Sequence, residues 1–462
     1  MSVFTGLFRG GLLGSALLAA SAAGAAIIPV SPGINTLQTA ITTAADGDVL
    51  ELVSGTYAGV VNMFGKNLTI RAVPGSTPLV PDNVQVSSAH RLVLQGLSFS
   101  EDVVVSTGNA GATLVVLQST FKDAVVQCNG VKCIIVGNRF DPQSNLGSSW
   151  EFNAIGGSNT VESVFAGNEM QSRAFSTISG NAYFSFHGGS SHIVGNRFLL
   201  DSVDDYHQNS GRSQLRVESG VVAILGNRFE MLLDTAHSTN NVYTTSTVGI
   251  GNATVLIRNN AFTLVSASGI SQDTTGYRVS ALHAINVMPN GGEVQILNNV
   301  FDYRDTSFGA SVNPAQGAIL AQRHVQKIEG NVFLGIKHGA VELGSGAFAN
   351  VANNLCHQIG STCPGAAAIS ANPLFADSTV GDYHLQPGSP AIDAGPGSPY
   401  LVDIDGTRND MGAHGGPFDL DQFDVQRGPG TLPFVYPLFD ANRAIDGNGN
   451  LQIRLIGVGR NQ

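Results

Sequence analysis

Val136-Gly137-Asn138-Arg139-Phe140 is a short phrase that the chain keeps repeating, and its recurrence decides the fold. Val194-Gly195-Asn196-Arg197-Phe198 and Leu225-Gly226-Asn227-Arg228-Phe229 are near copies. Looser copies are Ala166-Gly167-Asn168-Glu169-Met170, Arg258-Asn259-Asn260-Ala261-Phe262, Leu297-Asn298-Asn299-Val300-Phe301, Glu329-Gly330-Asn331-Val332-Phe333 and Ala352-Asn353-Asn354-Leu355-Cys356. The key asparagines at 138, 168, 196, 227, 260, 299, 331 and 354 are spaced by 30, 28, 31, 33, 39, 32 and 23 residues. Those gaps fall within the ~20–45-residue span of solenoid units. Most copies close an apolar, β-branched run, so each unit reads as a strand, a small-residue turn, a second strand and the Asn turn. Stacked coils bring equivalent residues ~4.8 Å apart, where side-chain amides can form a ladder. Asn also tolerates a left-handed turn. These asparagines are therefore read as structural, with the following Phe stacked inward.

Composition supports short strands over helices. Gly is 56 of 462 residues and charged residues are 12%, against usual values of ~7% and ~25%. The hydrophobic fraction of 43% can fill a core, which argues against disorder. A net charge of -11 lacks the basic footprint of a nucleic-acid binder. It also makes an acidic polysaccharide a partner only where a local cation bridges the two.

Residues 1–26 read as a secretory signal: Arg9 ahead of the apolar Leu12-to-Ala20 run, then Ala23-Gly24-Ala25 for cleavage. The run is short for a membrane span and no second candidate follows, so the mature chain is expected to be exported, without a membrane span, and monomeric. Oxidising conditions there predict two local disulfides, Cys128–Cys133 and Cys356–Cys363.

Apolar residues at 37, 40, 41 and 44 predict a short helix capping the first coil, with Asn35 as its N-cap. This helix, with Gly47-Asp48-Val49-Leu50 and Gly55-Thr56-Tyr57, resembles the opening of secreted right-handed parallel β-helix proteins, including alginate- and chondroitin-lyase-like families. Asn372-Pro373-Leu374-Phe375, Gly381-Asp382-Tyr383-His384-Leu385, Pro387 to Gly395, Asp405-Gly406 and Met411-Gly412-Ala413 resemble the closing segment of bacterial surface β-helix proteins. The resemblance implies an all-β, single-stranded right-handed parallel β-helix over 27–416, preceded by the signal at 1–26. Residues 417–462 are read as an acidic linker and a small β hairpin, Phe434–Phe439 against Leu451–Gly457. Asp446-Gly447-Asn448-Gly449-Asn450 is its turn rather than a calcium loop, since no closing glutamate follows.

Gaps longer than a bare coil must leave the rod as loops, where function concentrates. The insertions read from the sequence are Asp141 to Trp150, Asp201 to Arg212, Glu230 to Thr245, Thr263 to Tyr277 and Asp302 to Pro314. Counting back 13, 11 and 9 from Asn196 gives Tyr183, Ser185 and His187; from Asn227 it gives Gln214, Arg216 and Glu218. Alternation with Phe184, Phe186, Leu215 and Val217 points all six outward, with Gly157 expected beside Ser185. The connecting insertion adds Asp204, Asp205, Tyr206 and His207.

Such a cluster suits a glycan groove. Elimination from a uronate needs a cation on the carboxylate, a base for the C5 proton and an acid for the leaving oxygen. Arg216 is the candidate cation, with calcium possible as an added bridge; His187 or Tyr183 is the base, and His207 or Tyr183 the acid. Hydrolysis would instead pair carboxylates among Asp204, Asp205 and Glu218. Arg278, His283, Lys337, His338 and Glu342 are further candidates; Arg278 and His283 have opposite parity, so an unbroken strand faces only one outward. No acidic pair with one intervening residue followed by Lys, as in the lyase families this opening resembles, occurs in the central coils, and of the Asn-Thr-Asp, Asp-Asp, Gly-His-Gly and Arg-Ile-Lys series of hydrolase families with this fold only Asp204-Asp205 is present. No catalytic set is carried over. Two function classes result: an exported protein that binds or cleaves an acidic polysaccharide or cell-surface glycan, with lyase chemistry favoured over hydrolysis, and a non-catalytic adhesive rod.

Overall fold

The computed structural model describes residues 25–86, 91–101, 103–105, 112–122, 124, 126–128, 130–141, 151–152, 162–173, 182–201, 212–233, 245–266, 281–305, 315–399, 401–423, 434–438 and 454–458. Residues 1–24 of the expected leader lie outside these. The chain is a right-handed parallel β-helix with three faces. In one coil Ala182–Phe186 lies on the first face, Ser190–Val194 on the second and Arg197–Asp201 on the third. In the next, the first two merge into the 14-residue strand Arg212–Leu225, which turns at Gly220, held at φ 100°. Parallel pairing runs coil to coil on every face, as in Ser185↔Arg216, Ile193↔Ile224 and Phe198↔Phe229.

The asparagine ladder forms as read. All eight residues are 2% exposed or less. From Asn138 to Asn331 each Nδ2 donates to the next Oδ1, at 3.0 Å from Asn138 to Asn168, 2.9 Å from Asn196 to Asn227 and 3.1 Å from Asn331 to Asn354. The same oxygens accept the backbone N–H of the preceding Asn, so the buried corner leaves none of these polar groups unpaired. Beside the ladder the phenylalanines stack inward. Phe198, Phe229, Phe262, Phe301 and Phe333 have successive centroids 4.6, 4.8, 5.0 and 5.0 Å apart. Met170 interrupts the series, and Phe165 and Phe184 tilt towards Phe140 and Phe198 there.

The capping helix spans Thr36–Thr43 and buries Leu37 and Ile41. Asn35 does not cap it by side chain: it sits at φ 58° with no side-chain bond to the helix, and its N–H goes to the Ala58 carbonyl at 2.7 Å. Both disulfides are present. Cys128 and Cys133 are each 1% exposed and join first- and second-face strands of one coil inside the core.

Several loops begin later than the sequence suggested. Third-face strands grow from two residues (Thr120–Phe121) to six in Arg228–Leu233, Ala261–Ser266 and Val300–Asp305. Glu230, Thr263 and Asp302 are therefore strand residues, because buried Met231, Leu264 and Tyr303 continue the alternation beyond Phe. Long connections run from third-face to first-face strands at 142–150, 174–181, 202–211, 234–244, 267–280 and 306–314, and one more, 153–161, runs from first face to second.

The closing segment is a strap laid back over the rod. Phe375–Asp377 pairs antiparallel with Asp382–Leu385, and Tyr383, Ala391, Met411, Ala413 and Leu420 pack on the outward residues Ala261, Val300, Val332 and Leu355. The strap then follows the asparagine corner towards the N-terminus. Gly412 N–H bonds the Gly330 carbonyl at 2.8 Å, and Asn298 Nδ2 bonds Asn409 Oδ1 at 3.0 Å. Asn259 Nδ2 reaches the carbonyls of Ala413, Gly415 and Phe418 at 2.9, 2.8 and 3.0 Å. Phe423, 1% exposed, packs with Val136, Ala166, Val194 and Leu225. The stretch read as a linker thus includes residues 418–423 that are docked on the rod. Phe434–Leu438 and Arg454–Val458 pair antiparallel; Asp446–Asn450 lies outside the described residues.

Candidate functional site

Strand alternation puts Phe184, Phe186, Leu215 and Val217 in the core, each 2% exposed or less, and so turns Ser185, Arg216 and Glu218 outward on the first face. Arg216 pairs in register with Ser185 on one side and Gly249 on the other. Its guanidinium forms an ion pair with Glu218, the two side chains 21% and 27% exposed. Gly251 makes room for that carboxylate, since a Cβ there would lie 2.9 Å from Glu218 Oε2. His187 is half-buried just after the strand, beside the Gly188 N–H that donates to Ser219 Oγ at 2.8 Å.

Tyr183 belongs to the strand Ala182–Phe186, but its side chain lies outside the description, as do Asp204, Asp205 and His207. The expected neighbour Gly157 is replaced: Ser185 pairs with Glu151. The constant offset fails because that coil places nine residues, 153–161, between its first- and second-face strands.

The outward column through Arg216 continues in register as Gly249, Asn286, Leu320 and Glu342. At its far end the structure joins two candidates that the sequence left separate. His283 Nε2 lies 3.2 Å from Glu342 Oε2, with the His ring 1% and the Glu side chain 27% exposed. His283 Nδ1 and Glu342 Oε1 are buried without a hydrogen-bond partner. The hydrogen bond from His283 holds the Glu342 carboxyl below the ordinary carboxylate range, against burial and with help from the His283 and His338 charges. Gly317 is required beneath the pair: a Cβ there would sit 2.7 Å from Glu342 Oε1 and 2.9 Å from His283 Cδ2. Tyr303, whose hydroxyl accepts from Ala284 N at 3.0 Å and donates to Gly317 O at 2.8 Å, fixes the backbone behind it. Burial pushes the Tyr303 hydroxyl well up, so it acts as a brace rather than an acid. The only sequence signal for this pair was parity, which is blind to residues two coils apart.

A separate cavity of 540 Å³ under the strap hairpin is lined by Arg197, Arg228, Glu230, Arg304 and Gly381. Its arginines are engaged: Arg197 with Glu230, Arg228 with Asp421 and the Gly381 carbonyl, Arg304 with Asp302. It is a docking seam.

No family model matches the sequence, and no curated protein matches it. In structure the chain is similar to pectate lyase Pel9A, with 14% identity, covering 85% of this chain and 96% of that chain, at a TM-score of 0.37. It is also similar to the PL6 family alginate lyase AlyGC, with 13% identity, covering 79% of this chain and 57% of that one, at a TM-score of 0.31. Likeness of this degree is silent on activity. Among the described residues no helix is long and apolar enough to cross a membrane.

Proposed function

We propose that the protein binds an acidic polysaccharide along the outward column of its first face. One observation carries the reading: Arg216 and Glu342 share a single column, with only Gly249, Asn286 and Leu320 between them, and Glu342 is held there by His283 from a neighbouring column. Four inter-strand steps of ~4.8 Å separate the ends by about 19 Å, a span for an extended oligosaccharide. A guanidinium suits a uronate carboxylate, which it can grip with two parallel N–H bonds, and here the sugar would displace Glu218. If the bound chain is cleaved, elimination fits better than hydrolysis, with Arg216 on the carboxylate and His187 as base. A non-catalytic adhesive rod is the second reading, favoured by the pairing of Arg216 with Glu218, which neutralises its charge at rest.

Retention of the purified protein in gels containing polyuronates or neutral glycans tests binding, and absorbance of unsaturated uronates, with and without calcium, tests elimination. Arg216→Ala is expected to weaken polyuronate retention roughly tenfold or more, the worth of a hydrogen bond to a charged group, and to spare neutral glycans. Wild-type protein that ignores every acidic polysaccharide, or Arg216→Ala that binds them undiminished, sinks the proposal. Binding without turnover selects the adhesive reading.

A further inference from the structure

Docking of the strap assembles a group that the sequence keeps apart. His384 comes from the strap hairpin, His414 from the stretch along the asparagine corner, and Asp419 and Asp421 from the last turn before Phe423. Each offers one ligand atom, and these atoms all lie within 4.8 Å of one another. His384 Nε2 and Asp421 Oδ2 are 3.3 Å apart, which is about the edge of a tetrahedron whose metal–ligand bonds are ~2.0 Å.

Two further observations point to a ligand. His414 Nε2 is buried without a hydrogen-bond partner, while Nδ1 of the same ring contacts Asp419 Oδ1 at 2.5 Å. Asp382 Oδ1 holds Nδ1 of His384 at 2.7 Å, turning Nε2 towards Asp421; a carboxylate behind a ligating imidazole commonly orients it in metal sites. The two imidazoles stack with centroids 4.0 Å apart.

We propose that His384, His414, Asp419 and Asp421 bind a divalent metal ion of the zinc class, which fastens the strap to itself and, through the Arg228–Asp421 pair, to the third face. Two imidazoles and two carboxylates match Zn²⁺ in type and number. Calcium, which takes six to eight oxygen ligands, is excluded by the same set.

The test uses the full chain with any affinity tag removed. Titration with Co²⁺ is expected to saturate at one ion per chain with the visible absorption of a four-coordinate site, and Zn²⁺ is expected to displace it. Asp382→Asn, which leaves all four ligands in place, is expected to weaken binding about 10–100-fold, and His384→Ala and Asp421→Asn to abolish it. Zn²⁺ is expected to slow proteolysis of the wild-type strap and chelation to restore it, a readout that survives if a variant folds poorly. Absence of saturable Co²⁺ or Zn²⁺ binding, or undiminished binding in His384→Ala, overturns the site. A preference for Ca²⁺ overturns it as well.

Discussion

Asn227 donates from Nδ2 to Asn260 Oδ1 at 2.9 Å while its own Oδ1 accepts both the backbone N–H and the Nδ2 of Asn196, each at 2.9 Å. One side chain thus serves three coils. Asn227→Ala leaves the Asn196 N–H and amide and the Ile193 carbonyl without their buried partner. Each orphaned group costs about 1–3 kcal/mol, so a loss of about 3–5 kcal/mol is expected in urea denaturation. A change below about 1 kcal/mol would show that the ladder is ornamental to stability.

The residue before each ladder asparagine lies in the left-handed region, at φ 60° for Gly226, 53° for Asn259 and 52° for Asn298. What lies above it decides which residue stands there. At Gly226 a Cβ would collide with the Phe423 ring, whereas Asn259 and Asn298 use their amides to hold the strap. Asn259→Gly keeps the backbone geometry and removes three bonds to the strap. The strap is expected to lose about 2–3 kcal/mol of protection by hydrogen exchange, with the coils unchanged. Equal loss in strap and coils would refute this division.

Asp403 sits where the strap crosses Arg258. Burial, joined by repulsion from Asp410 and opposed by backbone N–H bonds from Gly416 and Asp410, pushes its carboxyl up to about 7. Burial also lowers the Arg258 guanidinium to about 10, with Asp403 opposing. A carboxyl raised above its unfolded value of ~3.9 favours the folded state fully below that pH. The contribution fades as pH rises towards the folded value of about 7. Strap protection factors are therefore expected to fall between about pH 4 and 7, and Asp403→Asn to flatten that fall. Protection in the wild type that rises steadily over the same interval contradicts the assignment.

Much of the rod was legible because its determinants repeat. Asn recurs at eight successive coils and Phe follows it at six of them, so their spacing exposes the stacking before any contact is known. Offsets from the ladder placed Ser185 beside Arg216 correctly, since both coils turn from first to second face over the same length. They failed at Glu151, where that turn is longer. The strap was not legible as a strap, because its contacts occur once each: Asn259 with Ala413, Asn298 with Asn409, Gly226 with Phe423. The pairings that follow from it, such as His384 with Asp421, have no periodicity to betray them. His283 and Glu342 meet across two coils for the same reason.

The ladder spacing varies from 23 to 39 residues, yet its bonds hold at 2.9–3.1 Å throughout. Register is thus reset at every turn of the rod, whatever has been added since the last one. A mutation that lengthens the crossing from third face to first has no means of passing its error to the next coil. Such a scaffold can acquire, lose or exchange surface segments independently of one another. Its lineage is therefore free to change what the rod recognises without relearning how to fold.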